Sequence, residues 1–171
     1  MARHTKARGL PVAVIDTTFL SRLVHLDVAQ MLPLVFKLIL IPPEVKREAY
    51  KAPGKRRLRN LVNEMSGFFV DCYEADEFTR EVLKADLDEG EAAAIAQADY
   101  KQSVLLLDEK KGVRRAARMQ LTVIRTLNVL NSLKKAEAIK EVKPYYDKLI
   151  KRGFYVTDDV RRKLLAEAGE E

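Results

Sequence analysis

The chain has 171 residues, about one domain's worth of sequence. That is enough apolar material to hold a core without disulfides or structural zinc. Its 31 Lys and Arg against 25 Asp and Glu leave a net charge of +6, a weak pull toward polyanions, so the distribution of charge says more than its sum. A single cysteine, Cys72, excludes an internal disulfide and Cys-rich zinc sites. With only His4 and His25, an HExxH metalloprotease motif is absent, and a histidine acid–base pair would have to use His4, in a basic tail. No GxGxxG, GxxxxGK[ST] or GxSxG is present. The longest apolar stretch, Met31 to Pro43, is interrupted by Pro33 and Lys37 and falls short of the ~20 residues of a spanning helix. The apolar run near the N-terminus stops at Asp16, too early for a signal-peptide core. The expectation is a soluble, cytoplasmic protein that does not engage membranes.

Residues 1–9 carry Arg3, Lys6 and Arg8 without an apolar pattern and read as a basic tail. Residues 10–171 then form one domain of alternating strands and helices. Val12 to Ile15 (VAVI) is a β-branched apolar run of the kind buried on both faces of a sheet. Phe19, Leu20, Leu23 and Val24 give Thr17 to Leu26 helical spacing. Leu38 to Ile41 (LILI) is a second strand, and Pro43 starts a helix through Tyr50. A basic turn and helix start cover Lys51 to Arg59. Gly67 to Val70 is a third strand and Glu74 to Ala85 a polar helix. Glu91 to Tyr100 is Ala-rich and suited to close packing. Val104 to Leu107 (VLLL), a short basic helix over Lys110 to Arg118, and Leu121 to Ile124 follow. From Leu127 onward the pattern is helical, with Thr157 as the N-cap of a last helix through Ala168. Strands separated by helices imply a parallel sheet covered on both faces.

Two strands end in an aspartate, Asp16 and Asp108. In an open parallel sheet ligands bind beyond the carboxyl ends of the strands, and both aspartates emerge there. Each also suits plain helix capping. Glu48 flanks the inward face set by Val45 and Ala49, where a salt bridge to a surface base is the bland alternative. Glu91 shares the stripe of Ala94, Ile95 and Ala98, although Asp88 and Glu91 also have the spacing of a capping box. Four acids gathered at one edge repel each other, and burial raises their pKa. A cation relieves both effects, and an all-carboxylate set suits Mg²⁺ or Mn²⁺ rather than zinc.

With VIDTTFLSRL at 14–23, ILIPPEVKREA at 39–49, LDEGEAAAIAQA at 87–98 and LLLDEKKGVRRAARMQ at 105–120, the chain resembles the PIN-domain family of metal-dependent ribonucleases. That family includes the VapC-type toxins of prokaryotic toxin–antitoxin pairs. The resemblance runs on through 123–139 and 149–170 and looks closest to an uncharacterised prokaryotic subfamily. It implies a three-layer α/β/α fold with about five parallel strands in the order 3-2-1-4-5 and a helical C-terminal region. It implies that Asp16, Glu48, Glu91 and Asp108 are the catalytic acids, with Asp16, Asp108 and Glu91 toward the metal and Glu48 orienting a water. Thr17 or Thr18 match the small residue that orients the first aspartate. Glu109 follows Asp108 directly, where many PIN domains place a further acid slightly later, which leaves the number of metals open. An antitoxin partner and a homodimer, formed through the helices after Leu127, are implied likewise.

The expected activity is metal-dependent endoribonuclease hydrolysis of phosphodiester bonds in single-stranded RNA, with Arg114, Arg115, Lys55, Arg56, Arg57 and Arg59 gripping phosphates. For both basic clusters the plain alternative is a solvated face. A different class of function is a catalytically silent PIN-like module that binds RNA or protein. A haloacid-dehalogenase phosphatase also begins with an aspartate after the first strand, but it needs an acid where this chain has Thr18.

Overall fold

A computed structural model describes residues 9–51, 54–73 and 75–170; the first eight residues, which hold nearly all of the expected tail, lie outside the described residues. Five short strands pair in parallel in the order β3-β2-β1-β4-β5: β1 Val12–Ile15, β2 Leu38–Ile41, β3 Phe69–Asp71, β4 Val104–Leu106 and β5 Val123–Ile124. The three-layer α/β/α fold and the strand order are as expected. The central strand β1 is apolar on both sides because both of its faces are covered. β3 and β5, at the two edges, are only partly buried.

Alternation along the strands sorts the core into two layers. Ala13, Ile15, Ile39, Ile41 and Leu106 face α1 (Thr17–His25), α2 (Pro43–Lys51), α3 (Arg56–Glu64) and a 3₁₀ helix at Ala29–Leu34. The same layer takes in α7 (Thr126–Lys135), α8 (Lys143–Lys151) and α9 (Asp158–Glu167). Val14, Leu105 and Leu107 face α4 (Glu77–Lys84), α5 (Glu89–Lys101) and α6 (Lys110–Arg118). Every residue of α5 from Gly90 to Ala98 is buried. Its alanines let it sit between the sheet and its neighbouring helices, and the polar residues among them are buried with it.

Several boundaries differ from the sequence reading. β3 begins at Phe69 rather than Gly67, β4 ends at Leu106, and β5 begins at Val123. α4 starts only at Glu77, where Asp76 caps it by accepting from the Thr79 N–H at 2.9 Å. The C-terminal region is not continuously helical. Gly153, at φ +85°, closes α8 in a conformation that favours glycine. An extended segment from Phe154 to Val156 then runs to the Thr157 N-cap. A buried polar knot ties the three last helices: the Tyr146 hydroxyl donates to Asn131 Oδ1 at 2.6 Å, and Asn131 Nδ2 donates to the Leu164 carbonyl at 2.8 Å. Among the described residues no helix is long and apolar enough to cross a membrane.

Candidate metal centre

The chain order reverses between β1 and β4, the switch point at which an open α/β sheet takes its ligands. Asp16 leaves β1 there, its N–H donating to the Leu106 carbonyl at 3.2 Å. Its Oδ2 accepts from the N–H groups of Thr18 at 3.0 Å and Phe19 at 3.4 Å, so it does cap α1. Capping does not account for its surroundings. Asp16 is only 3% exposed, and its carboxyl is pushed up to about 6, mainly by burial and then by the nearby charge of Asp88, with Glu48 adding to it.

Glu48 projects from α2 and meets no base among the described residues. The buried Thr17 hydroxyl donates to its Oε2 at 2.7 Å, which gives Thr17 a positioning task; Thr18 is exposed and contributes only its N–H. Gly90 is where α5 approaches this carboxylate. A Cβ there would stand 2.7 Å from both Glu48 oxygens, so any side chain at 90 would displace Glu48. Glu91, next along, is 6% exposed. Its N–H donates to Asp88 Oδ1 at 2.8 Å, but the return bond that would complete a capping box is not made. Its carboxyl is pushed up to about 7 by burial and by the charges of Asp88, Asp16 and Glu109. Asp16, Glu48, Asp88 and Glu91 thus form one repelling group where α2, α5 and the sheet edge meet.

Asp108 lies on the same carboxyl edge in a different environment. β1 and β4 are aligned with Ile15 level with Leu106. Asp16 is therefore level with Leu107, and Asp108 falls one residue further on. Alternation turns it toward the layer of Ile15 and Leu106. There Arg22 Nη1 donates to its Oδ2 at 2.9 Å and Arg125 Nε to its Oδ1 at 3.3 Å. The Thr126 N–H and hydroxyl add bonds of 2.9 and 2.5 Å. Asp108, 5% exposed, is fully compensated, whereas the Asp16 group is not.

Of the basic residues, Arg114 is exposed and Arg115 half-buried on α6, the helix on which a Cβ at Gly112 would stand 3.7 Å from Glu91 Oε1. Lys55, Arg56, Arg57 and Arg59 stand elsewhere. Arg57 pairs with Asp27, just past the end of α1. The nine residues of α1 separate that end from Asp16, a distance of about 13 Å. Glu109 is exposed and caps α6 by accepting from the Lys110 N–H at 3.1 Å.

Residues 12–170 match the PIN domain family. The chain belongs to that family. Members are generally metal-dependent nucleases. Among solved structures, this PIN domain is similar to VapBC2 from Rickettsia felis, crystallised with a DNA fragment from their promoter. The two are 13% identical with a TM-score of 0.49, over 67% of this chain and 98% of that one. No curated protein matches.

The donors of this PIN domain suit a hard divalent cation: they are carboxylate oxygens, two of them on carboxyls that burial and like charge hold protonated above their ordinary range. Among the described residues no three Asp, Glu, His or Cys side chains stand as a ready cage for an ion. Sequence reasoning gave Asp88 only as a helix cap, which it is, without its charge at the site, and missed Gly90; the signal for both was the D-E-G-E run with a glycine in a helical first turn. It also missed Arg22, Arg125 and Thr126; Arg125 follows β5 as directly as Asp16 follows β1, and Thr126 comes next.

Proposed function

We propose that this PIN domain is a metal-dependent endoribonuclease that hydrolyses phosphodiester bonds of single-stranded RNA at the carboxyl edge of its sheet. The observation that carries this reading is the uncompensated acid group at the switch point, with Asp16 and Glu91 both raised by burial and by Asp88. Asp16 and Glu91 would hold Mg²⁺ or Mn²⁺, with Asp108 as a third ligand on exchanging its Arg22 partner. Bound there, such an ion lowers the pKa of water and offsets charge developing on the phosphate. Glu48, steadied by Thr17, would accept a proton from the attacking water. Glu109 would support the site from the α6 side. Arg114 and Arg115 would grip phosphates flanking the scissile bond, whereas Lys55, Arg56, Arg57 and Arg59, at the other end of α1, would meet only a long RNA.

The test is cleavage of end-labelled single-stranded RNA with Mn²⁺ or Mg²⁺ and with a chelator. Metal-dependent products with 5′-phosphates, lost in Asp16→Asn, support the reading; cleavage that survives both the chelator and Asp16→Asn contradicts it. A second reading, a catalytically silent PIN module, draws on the saturation of Asp108 by Arg22 and Arg125. It expects no Mn²⁺ binding. We propose further that it acts as the toxin of a cytoplasmic toxin–antitoxin pair and forms a homodimer through the C-terminal helices, a reading that family membership supports. Expression that arrests growth with the native chain but not with Asp16→Asn is the expected result for a toxin.

A further inference from the structure

Beyond Asp108 the edge opens into a groove of about 650 Å³ between the start of α7 and the extended segment before α9. That is within the usual range of ligand sites, roughly 300–1,000 Å³. Arg22 and Arg125 stand at its inner end, both bonded to Asp108, whose negative charge they offset. The Arg22 guanidinium lies over the Phe154 ring at 5.1 Å, so the groove wall is continuous from Asp108 to the extended segment. Along that segment Phe154 and Val156 are half-buried and Tyr155 is turned out, 78% exposed. Tyr155 lines the groove without packing into the core. Lys163, on α9, also lines it and forms no ion pair among the described residues. Glu167 is the acid at the same wall.

A free aromatic face beside a cation without an ion pair, here Tyr155 beside Lys163, is the combination that single-stranded nucleic acid uses, with bases stacked on the ring and phosphates on the cation. We infer that this groove is the path by which single-stranded RNA reaches the acid edge, with a base stacked on Tyr155 and a neighbouring phosphate on Lys163. For what happens at the inner end the inference rests on the nuclease reading; for binding it does not. It places the strand along α7 and α9 and not across Lys55 to Arg59.

The experiment measures anisotropy of a short labelled single-stranded RNA with the full chain in chelator, at several salt concentrations. Tyr155→Ala should weaken binding about tenfold and Tyr155→Phe should stay within about twofold of the native chain. Lys163→Ala should weaken it about threefold and flatten the salt slope by about one contact. The Arg56→Ala/Arg57→Ala/Arg59→Ala variant should bind as the native chain does. Duplex RNA, whose bases cannot reach Tyr155, should bind without sensitivity to Tyr155→Ala. Native affinity in Tyr155→Ala overturns the inference and leaves the apolar wall to a protein partner; absence of RNA binding by the native chain overturns it too. Cleavage with Mn²⁺ is assayed separately. Tyr155-dependent binding without any cleavage retires the nuclease reading and keeps the groove.

Discussion

Asp16 and Asp108 end neighbouring parallel strands at the same edge of one sheet, yet they meet opposite environments. Asp16 is buried beside buried Glu91, half-buried Glu48 and exposed Asp88, and among the described residues only backbone N–H groups offset its charge. Asp108 is held by two arginines and by both donors of Thr126. A single residue of strand register separates them. An acid's place at the end of a strand is therefore insufficient to define its chemistry: its face decides whether it stands in uncompensated repulsion, as Asp16 does, or is already paired with arginines that a cation would have to displace, as Asp108 is.

The sharpest way to break this contrast is a matched pair of substitutions. Asp16→Asn should lower RNA cleavage by a hundredfold or more, because it removes a proposed ligand. It should leave Tm within about 3 °C, since Asn still caps α1. Asp108→Asn should cost about 2 kcal/mol, or about 6 °C in Tm, by leaving Arg22 and Arg125 without their shared carboxylate. Thermal melts and single-turnover cleavage of both variants check this. Equal Tm losses would erase the distinction.

A pH series sharpens the same contrast. Asp16 and Glu91 have folded-state pKa values of about 6 and about 7, above their ordinary range, so the folded state binds more protons than the unfolded one between about pH 4 and 7. Their contribution is greatest at low pH and is lost as pH rises through those values. Metal-free protein should lose on the order of 2 kcal/mol, several degrees of Tm, across that window. Asp16→Asn should flatten the decline, and Mn²⁺ should restore Tm at pH 7.5 and not at pH 5. A smaller effect is expected from Gly90→Ala. Its methyl group would push Glu48 aside, lowering cleavage about tenfold while Mn²⁺ affinity changes by less than about threefold.

Much of the fold was legible because its signals are local. VAVI and LILI are buried strands by composition, Pro43 opens a helix, and the alanines of α5 announce close packing. The acids Asp16, Glu48 and Glu91 were legible for the same reason, as polar residues at strand ends or on apolar stripes. The partners of Asp108 were not. Arg22 is 86 positions away in sequence, and only the pairing of β1 with β4 brings the two together. The end of α1 at which Lys55 to Arg59 stand was also out of reach, since it follows from how α3 packs on α1, fixed by Arg57 and Asp27. The extended stretch at Phe154 was hidden by helical patterning on both sides, although Gly153 marked the break.

The central claim is that the uncompensated acids around Asp16 take up a divalent cation. Calorimetric titration of Mn²⁺ into the native chain and into Asp16→Asn at pH 7.5 tests it most directly. The account predicts a saturable site in the native chain that releases protons on binding and is weakened at least tenfold in Asp16→Asn. Equal binding by the two proteins, or no binding by either, would contradict it.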